Sequence, residues 1–221
     1  MQRRPRLLDL FCKAGGAARG YQLAGYEVVG VDYERQPRYA GDHFVLGHAI
    51  AVMDVLLCGG TIVDQHGCEF RLSDFDAVHA SPPCQLFTSL KAMWNRREHP
   101  DLIAPTRELL QASGLPYVIE NVPGAPLLHG VILCGSMFRL GCEGAELRRH
   151  RVFETSFPMM VPSSCVHGWS GRGSATVGVY GHAGGYSHRQ RWTTIGGFGD
   201  HGDTPTYRKN GQHFATALRA R

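Results

Sequence analysis

The sequence predicts a doubly wound α/β domain on a mostly parallel sheet. Short apolar runs of strand length recur along the first two-thirds of the chain, and each ends in a polar cluster. The first run is followed by a glycine-containing turn, a helical stretch and a second strand closed by an acidic residue. That is the opening βαβ unit of such a sheet. Strands then alternate with helical segments, which argues for a sheet covered on both faces.

Arg6–Phe11 is the first apolar run. Ala17–Ala24 reads as a helix, with Gly25 as its C-terminal stop. Glu27–Val31 is the second strand and ends at Asp32. Phe75–Ala80 is the third run, closed by Ser81-Pro82-Pro83. Asp101–Ala112 has helical spacing, with Pro105 in its first turn. Tyr117–Ile119 is another buried strand, ending at Glu120-Asn121, and Val131–Cys134 is one more. From about Glu154, Ser, Gly, His and Thr dominate and helical periodicity fades. The expected division is a sheet domain over 1–155, a loop-rich region over 156–205, and a C-terminal segment over 206–221 with a helix at His213–Arg219.

Of 221 residues, 43% are hydrophobic and 19% charged, which describes a globular chain rather than a disordered one. No run of about 20 apolar residues occurs, so no membrane span is expected. The opening MQRRPRLLDLF has only a short apolar run, interrupted by Asp9, and reads as a strand rather than a signal peptide. The cysteines number 7, and no CxxC pair is present. That argues against a disulfide framework and for a reducing cytoplasm. Cys134, Cys142, Cys165 and His167 offer zinc donors, but their spacing matches no standard site, so no metal is expected. The net charge of +4 is uneven. From Gly144 onward ten Lys/Arg against four Asp/Glu give +6, whereas residues 1–143 carry thirteen against fifteen, or −2. The basic third is a candidate polyanion-binding face, including Arg189 and Arg191, with an ordinary solvated surface as the alternative.

Ligands of such sheets sit beyond the C-terminal strand ends. Three polar clusters fall there: Asp9–Gly20, Ser81–Gln85 and Glu120–Val122. Cys84 follows two prolines that remove backbone donors and stiffen its loop. An ionised cysteine adds readily to an electron-poor ring, although a lone cysteine is more often structural. Glu120 is placed to hold a proton donor or acceptor against a substrate, or else serves as a cap or ion-pair partner. The small residues Gly15 and Gly16 let a cofactor approach the backbone, and Asp32 is placed for ribose hydroxyls. Cys12, beside Lys13, is a rival thiol whose position assigns it to packing at the turn.

Taken together these residues resemble the cytosine-C5 DNA methyltransferase family. DLFCKAGGAARG (Asp9–Gly20) is similar to its cofactor motif, VDYE (Val31–Glu34) to its acidic ribose motif, and Asp54 to the later acidic residue that contacts the adenine amino group. SPPCQ (Ser81–Gln85) resembles the nucleophile loop, ENV (Glu120–Val122) the cytosine-binding motif, and RRHR (Arg148–Arg151) the end of QxRxR. The match runs in the family's order over roughly 7–155 and is closest to the compact enzymes of bacteriophages and actinobacteria, some of which serve restriction-modification. Lys13 stands where the family has the first glycine of its turn, and Leu147 where it has glutamine.

The resemblance implies a Rossmann-like S-adenosylmethionine-dependent fold with a reduced target-recognition region over 156–205. Cys84, Glu120, Arg149 and Arg151 are the implied catalytic residues. Asp9, Phe11, Gly15, Gly16, Asp32, Asp54 and Pro83 are the implied cofactor-binding residues. The implied partner is double-stranded DNA with one cytosine flipped out, bound by a monomer in the cytoplasm of a bacterium or phage-infected host. Two alternatives stay open: an RNA cytosine methyltransferase, and a catalytically decayed homologue that binds DNA or a partner enzyme. An ammonium group at Lys13, if turned inward, repels the cationic cofactor unless Asp9 or Asp32 neutralises it.

Overall fold

The computed structural model describes residues 3–87, 100–142, 145–161 and 164–167, together with the backbone of strands between 176 and 215. The chain divides into two compact units, one of residues 1–132 and 151–159, the other of 133–150 and 160–221. The second unit thus begins earlier than the boundary expected near 155. A strand at 150–155 returns the chain to the first sheet, and strand pairing rather than local composition sets that division.

The first strand β1 (Arg6–Leu10) leads into α1 (Gly16–Leu23), β2 (Glu27–Asp32), β3 (His43–Leu46) and α2 (Ala49–Leu57). A small antiparallel pair follows, β4 (Ile62–Val63) and β5 (Glu69–Phe70). Then come β6 (Ala77–Ala80), α3 (Ile103–Ser113), β7 (Tyr117–Asn121) and β8 (Val131–Cys134). After β9 (Gly141–Cys142) and β10 (Ala145–Glu146), strand β11 (His150–Thr155) enters the main sheet. The sheet order is β3-β2-β1-β6-β7-β11-β8. β3, β2, β1, β6 and β7 are mutually parallel, and β11 lies antiparallel to β7. This is the doubly wound, mostly parallel sheet that the sequence predicts.

Side chains alternate along each strand, so the sheet sorts its residues onto two faces. Leu8, Leu10, Val29, Val31, Val78, Ala80 and Ile119 build the larger core with α2 and α3. Leu7 and Val28 point the other way and pack with Ala18 and Tyr21 of α1. Gly25, at φ +95°, stops α1 as expected. Pro105 falls in the first turn of α3, where its missing N–H costs no helical bond. Asp101 accepts a bond from the Ile103 N–H there at 2.9 Å.

The second unit holds β9 and β10 with β12 (Thr176–Tyr180), β13 (Tyr186–Ser187), β14 (Trp192–Gly196), β15 (Thr206–Lys209) and β16 (Gln212–Ala215). The helix expected at His213–Arg219 is corrected here. Residues 212–215 are the second arm of a hairpin with 206–209, and 216–221 lie outside the described residues. Strand pairing with 206–209 rather than local apolar spacing sets the conformation of 212–215. Arg189 and Arg191 lie outside the described residues. Among the described residues no helix is long and apolar enough to cross a membrane.

One ion pair ties three parts of the first unit together. Arg107 of α3 meets Glu154 of β11 with two bonds of 2.6 and 2.7 Å, and also donates to the Pro126 carbonyl. Glu154 accepts the Leu128 N–H as well, at 2.8 Å. Their side chains are only 13% and 4% exposed. Losing Arg107 leaves a buried carboxylate without its counter-ion, so Arg107→Ala is expected to cost about 3–5 kcal/mol in urea denaturation. Arg3→Ala, which breaks the exposed Arg3–Asp76 pair, is expected to cost at most about 1 kcal/mol.

Candidate active site

The strand order reverses between β1 and β6, because the chain builds outward from β1 to β3 on one side and from β6 to β7 on the other. A doubly wound sheet opens its ligand crevice at that switch point, beyond the C-terminal strand ends. Asp9 and the glycine turn lie at the end of β1, and Ser81–Cys84 at the end of β6.

Register places a polar row across this end of the sheet. Asp9 pairs with His79, and Glu120 with Phe153. Alternation sets Asp9, His79, Glu120 and Arg151 on the face opposite Leu8, Leu10, Val78, Ala80 and Ile119. The Arg151 Nε is 3.2 Å from a Glu120 oxygen, and the other Glu120 oxygen is 4.0 Å from His79 Nε2. His79 is 2% exposed and shares its nitrogens with Tyr21 Oη at 3.0 Å and Ser81 Oγ at 2.9 Å. Burial pulls its pKa down to about 4, so the ring is neutral. His79, Tyr21 and Ser81 thus form a neutral floor beneath Glu120.

The loop after β6 is clamped to β7. Asn121, 3% exposed, donates to the Pro82 carbonyl at 3.0 Å and accepts the Val122 N–H at 2.8 Å. Pro82-Pro83 stiffen the approach, and the Phe87 N–H closes a turn on the Cys84 carbonyl at 3.0 Å. Cys84 is a half-buried free thiol on this braced loop. Cys12 is buried beneath the turn, where burial and the charges of Asp9 and Asp32 push its thiol pKa far up despite Lys13 beside it. It is therefore not a competing nucleophile.

Asp9 is the unusual member of the row. It is 1% exposed, and neither of its oxygens has a hydrogen-bond partner among the described residues. Burial, then the nearby Glu120 and Asp32 carboxylates, push its pKa up to about 8. The turn that follows is strained. Phe11 and Lys13 hold φ of 59° and 45°, the left-handed region that costs a side-chain-bearing residue about 1 kcal/mol or more. Phe11 is half-buried against the larger core. Gly15, at φ +84°, is required: a Cβ there would meet the Tyr39 ring at 2.8 Å and the Ala40 nitrogen at 2.9 Å. A Cβ at Gly16 meets nothing within 4 Å, so that side of the turn is open. No side chain caps α1 there.

Asp32 sits at the end of β2 as expected, but its two oxygens accept the Lys13 and Glu34 backbone N–H groups, each at 3.0 Å. It braces the turn. The neighbouring Glu34 carboxylate is the exposed one. The Lys13 ammonium turns to these carboxylates, 3.0 Å from Glu34 and 3.5 Å from Asp32, and lies over the Tyr33 ring. Its charge is neutralised locally.

Asp54 lies within α2, exposed, where apolar neighbours on either side turn the other face of the helix to the core. Tyr33 and His48 stack there at the ends of β2 and β3, with ring centroids 5.5 Å apart and planes within 10°. Pro83 is half-buried beside Cys84. Arg149 belongs to the second unit, so the cluster formed within the first unit contains Arg151 but not Arg149. Sequence reasoning passed over His79, Tyr21 and Asn121. Asn121 was readable from its place beside Glu120 at a strand end, whereas nothing local marks His79.

No family model matches this chain, and no curated relative does. Among solved structures, a SAM-dependent methyltransferase from Agrobacterium tumefaciens aligns over 69% of this chain and 56% of its own, at 15% identity and a TM-score of 0.38. The S. pombe Dnmt2 methyltransferase aligns over 72% of this chain and 52% of its own, at 16% identity and a TM-score of 0.40. The chain thus spans just over half the length of each. At this distance the functional reading has to rest on the chain's own site.

The raised pKa of Asp9 fixes a sign for stability. The folded state keeps a proton on Asp9 that the unfolded chain has lost, so its contribution falls as pH rises from about 4 to about 8. Asp9→Asn removes that fall. Its stability relative to wild type is expected to grow by up to about 1.4 kcal/mol per pH unit across this window in urea denaturation. A difference independent of pH would show that Asp9 is not buried as described.

Proposed function

We propose that this chain is an S-adenosylmethionine-dependent cytosine-C5 methyltransferase acting on DNA. The observation that carries the reading is the convergence at one switch point of a free thiol on a braced Pro-Pro loop, a carboxylate held by an arginine, and a buried carboxyl with no hydrogen-bond partner among the described residues. A cationic ligand beside Asp9 would favour release of the proton that burial keeps on it, and S-adenosylmethionine carries a sulfonium and an ammonium group. The open, uncapped start of α1 at Gly16 suits that ligand's carboxylate. Asp9, Phe11, Gly15, Gly16 and Pro83 would line its place, with Asp32 bracing the turn. When bound, the cofactor supplies an electrophilic methyl group.

The chain's residues do the rest. The Cys84 thiolate adds to C6 of a cytosine turned out of the duplex. That addition makes C5 enamine-like and able to take the methyl group, which C5 of a free cytosine is too weak a nucleophile to do. Glu120 holds N3 and the exocyclic amine, and this favours the addition. Arg151 contacts O2 and keeps the base aligned with Cys84. The C5 proton then leaves to solvent, and Cys84 is eliminated to restore the ring. The neutral His79 floor holds Glu120 in place without competing for its charge. The basic C-terminal third supplies phosphate contacts.

Tritiated methyl transfer, with DNA, tRNA and free nucleotides in parallel, tests the reading. Label is expected at C5 of cytosine in DNA. Glu120→Gln is expected to lower turnover by about two to four orders of magnitude with cofactor binding unchanged, the usual range for a positioned acid–base group. Label confined to tRNA would move the substrate to RNA, and no transfer to any acceptor would remove the activity.

A further inference from the structure

The second unit gathers four metal-ligating side chains. Cys134 ends β8, His150 begins β11, and Cys165 and His167 lie on the segment 164–167. Their ligand atoms all lie within 4.8 Å of one another. The Cys165 sulfur is 2.8 Å from His167 Nε2 and 3.3 Å from His150 Nε2, and the Cys134 sulfur is 3.6 Å from His167 Nε2. The two imidazoles meet edge to face, 5.2 Å apart. A tetrahedral ion with metal–sulfur bonds of about 2.3 Å and metal–nitrogen bonds of about 2.0 Å sets its ligand atoms roughly 3.3–3.8 Å apart. The observed spacings of 2.8, 3.3 and 3.6 Å overlap that range and begin below it.

Hydrogen bonding alone explains the cluster poorly. A thiol has one weakly donated proton, yet Cys165 faces two imidazole nitrogens and the Ser136 hydroxyl, 3.2 Å away. Ser136 also donates to Cys134, at 3.3 Å, the kind of contact that outer partners make to metal-bound sulfur. The two cysteines are free thiols rather than a disulfide.

We infer that Cys134, His150, Cys165 and His167 bind one structural zinc ion that holds the second unit together. Two sulfurs and two nitrogens in tetrahedral array select zinc among the common divalent ions. Four protein ligands close the site, so it carries no catalytic water. The ion joins the end of β8, the start of β11 and the segment 164–167. His150 lies between Arg149 and Arg151 and, by strand alternation, faces away from Arg151. His150 joins Cys134, Cys165 and His167 of the donors read from the sequence, and the side chain of Cys142 lies outside the described residues.

The test is the metal content of the full chain, purified without chelator from zinc-supplemented cells. One zinc per chain is expected, lost in the Cys134→Ser/Cys165→Ser double variant and kept in Cys58→Ser and His167→Cys. Because the double variant could fail to fold, the wild-type protein is also alkylated before and after chelation, with each cysteine read by mass spectrometry. Cys134 and Cys165 are expected to be protected until the metal is stripped. Cobalt exchanged into the site is expected to give the absorption of a tetrahedral thiolate complex. A metal-free wild-type chain, full zinc in the double variant, or equal alkylation with and without chelator would each overturn the site.

Discussion

Parity of strand register is the constraint on which the site depends. Asp9, His79, Glu120 and Arg151 come from four adjacent strands, and they meet only because each occupies the same phase of the two-residue alternation. A slip of one residue in β6 would bring Val78 or Ala80 into the row and send His79 into the apolar core between Leu8 and Ile119. The other face guards against that slip. Its aliphatic side chains pack against α2 and α3, and a shift would expose them to the polar row. The core therefore specifies the site, and the bond from Asn121 to the Pro82 carbonyl carries that specification into the loop bearing Cys84.

Several features at this end of the sheet oppose stability. A carboxyl is buried with no hydrogen-bond partner among the described residues, a histidine is held neutral, and two residues with side chains take left-handed backbone conformations in one turn. Each costs free energy that a ligand-free fold has no reason to accept. They cluster at the switch point, where local rules give way to function. The rest of the first unit follows those rules: Asp32, Asp42 and Asp64 each accept backbone N–H groups, and Arg107 and Glu154 satisfy each other.

Much of this was legible in the sequence. The strands ending at Leu10, Asp32, Ala80 and Asn121 were marked by apolar runs and by the polar residues in or beside their ends. Cys84 and Glu120 were placed by those same ends. Other parts were not legible, for identifiable reasons. Asp54 matched a motif by its distance along the chain, but β3 and α2 are short and placed it on a helix surface. His79 looked like any strand residue, because its role arises from the neighbouring β1 and β7. The strand at 212–215 was not legible, because HFATALR reads as a helix and its pairing with 206–209 is not local to that run. The cysteine and histidine cluster draws on positions 134, 150, 165 and 167, whose proximity only the fold creates.

The central claim is that Cys84 attacks a cytosine ring, and covalent capture tests it most directly. Duplex DNA carrying 5-fluorocytosine is incubated with the protein and S-adenosylmethionine. Fluorine does not leave as a proton does, so elimination of the thiol is blocked. A complex that resists denaturation is expected, with its cross-linked peptide mapping to Cys84 and its yield falling to background in Cys84→Ser. An adduct that persists in Cys84→Ser, or that maps to Cys12, would contradict the assignment of Cys84 as the nucleophile.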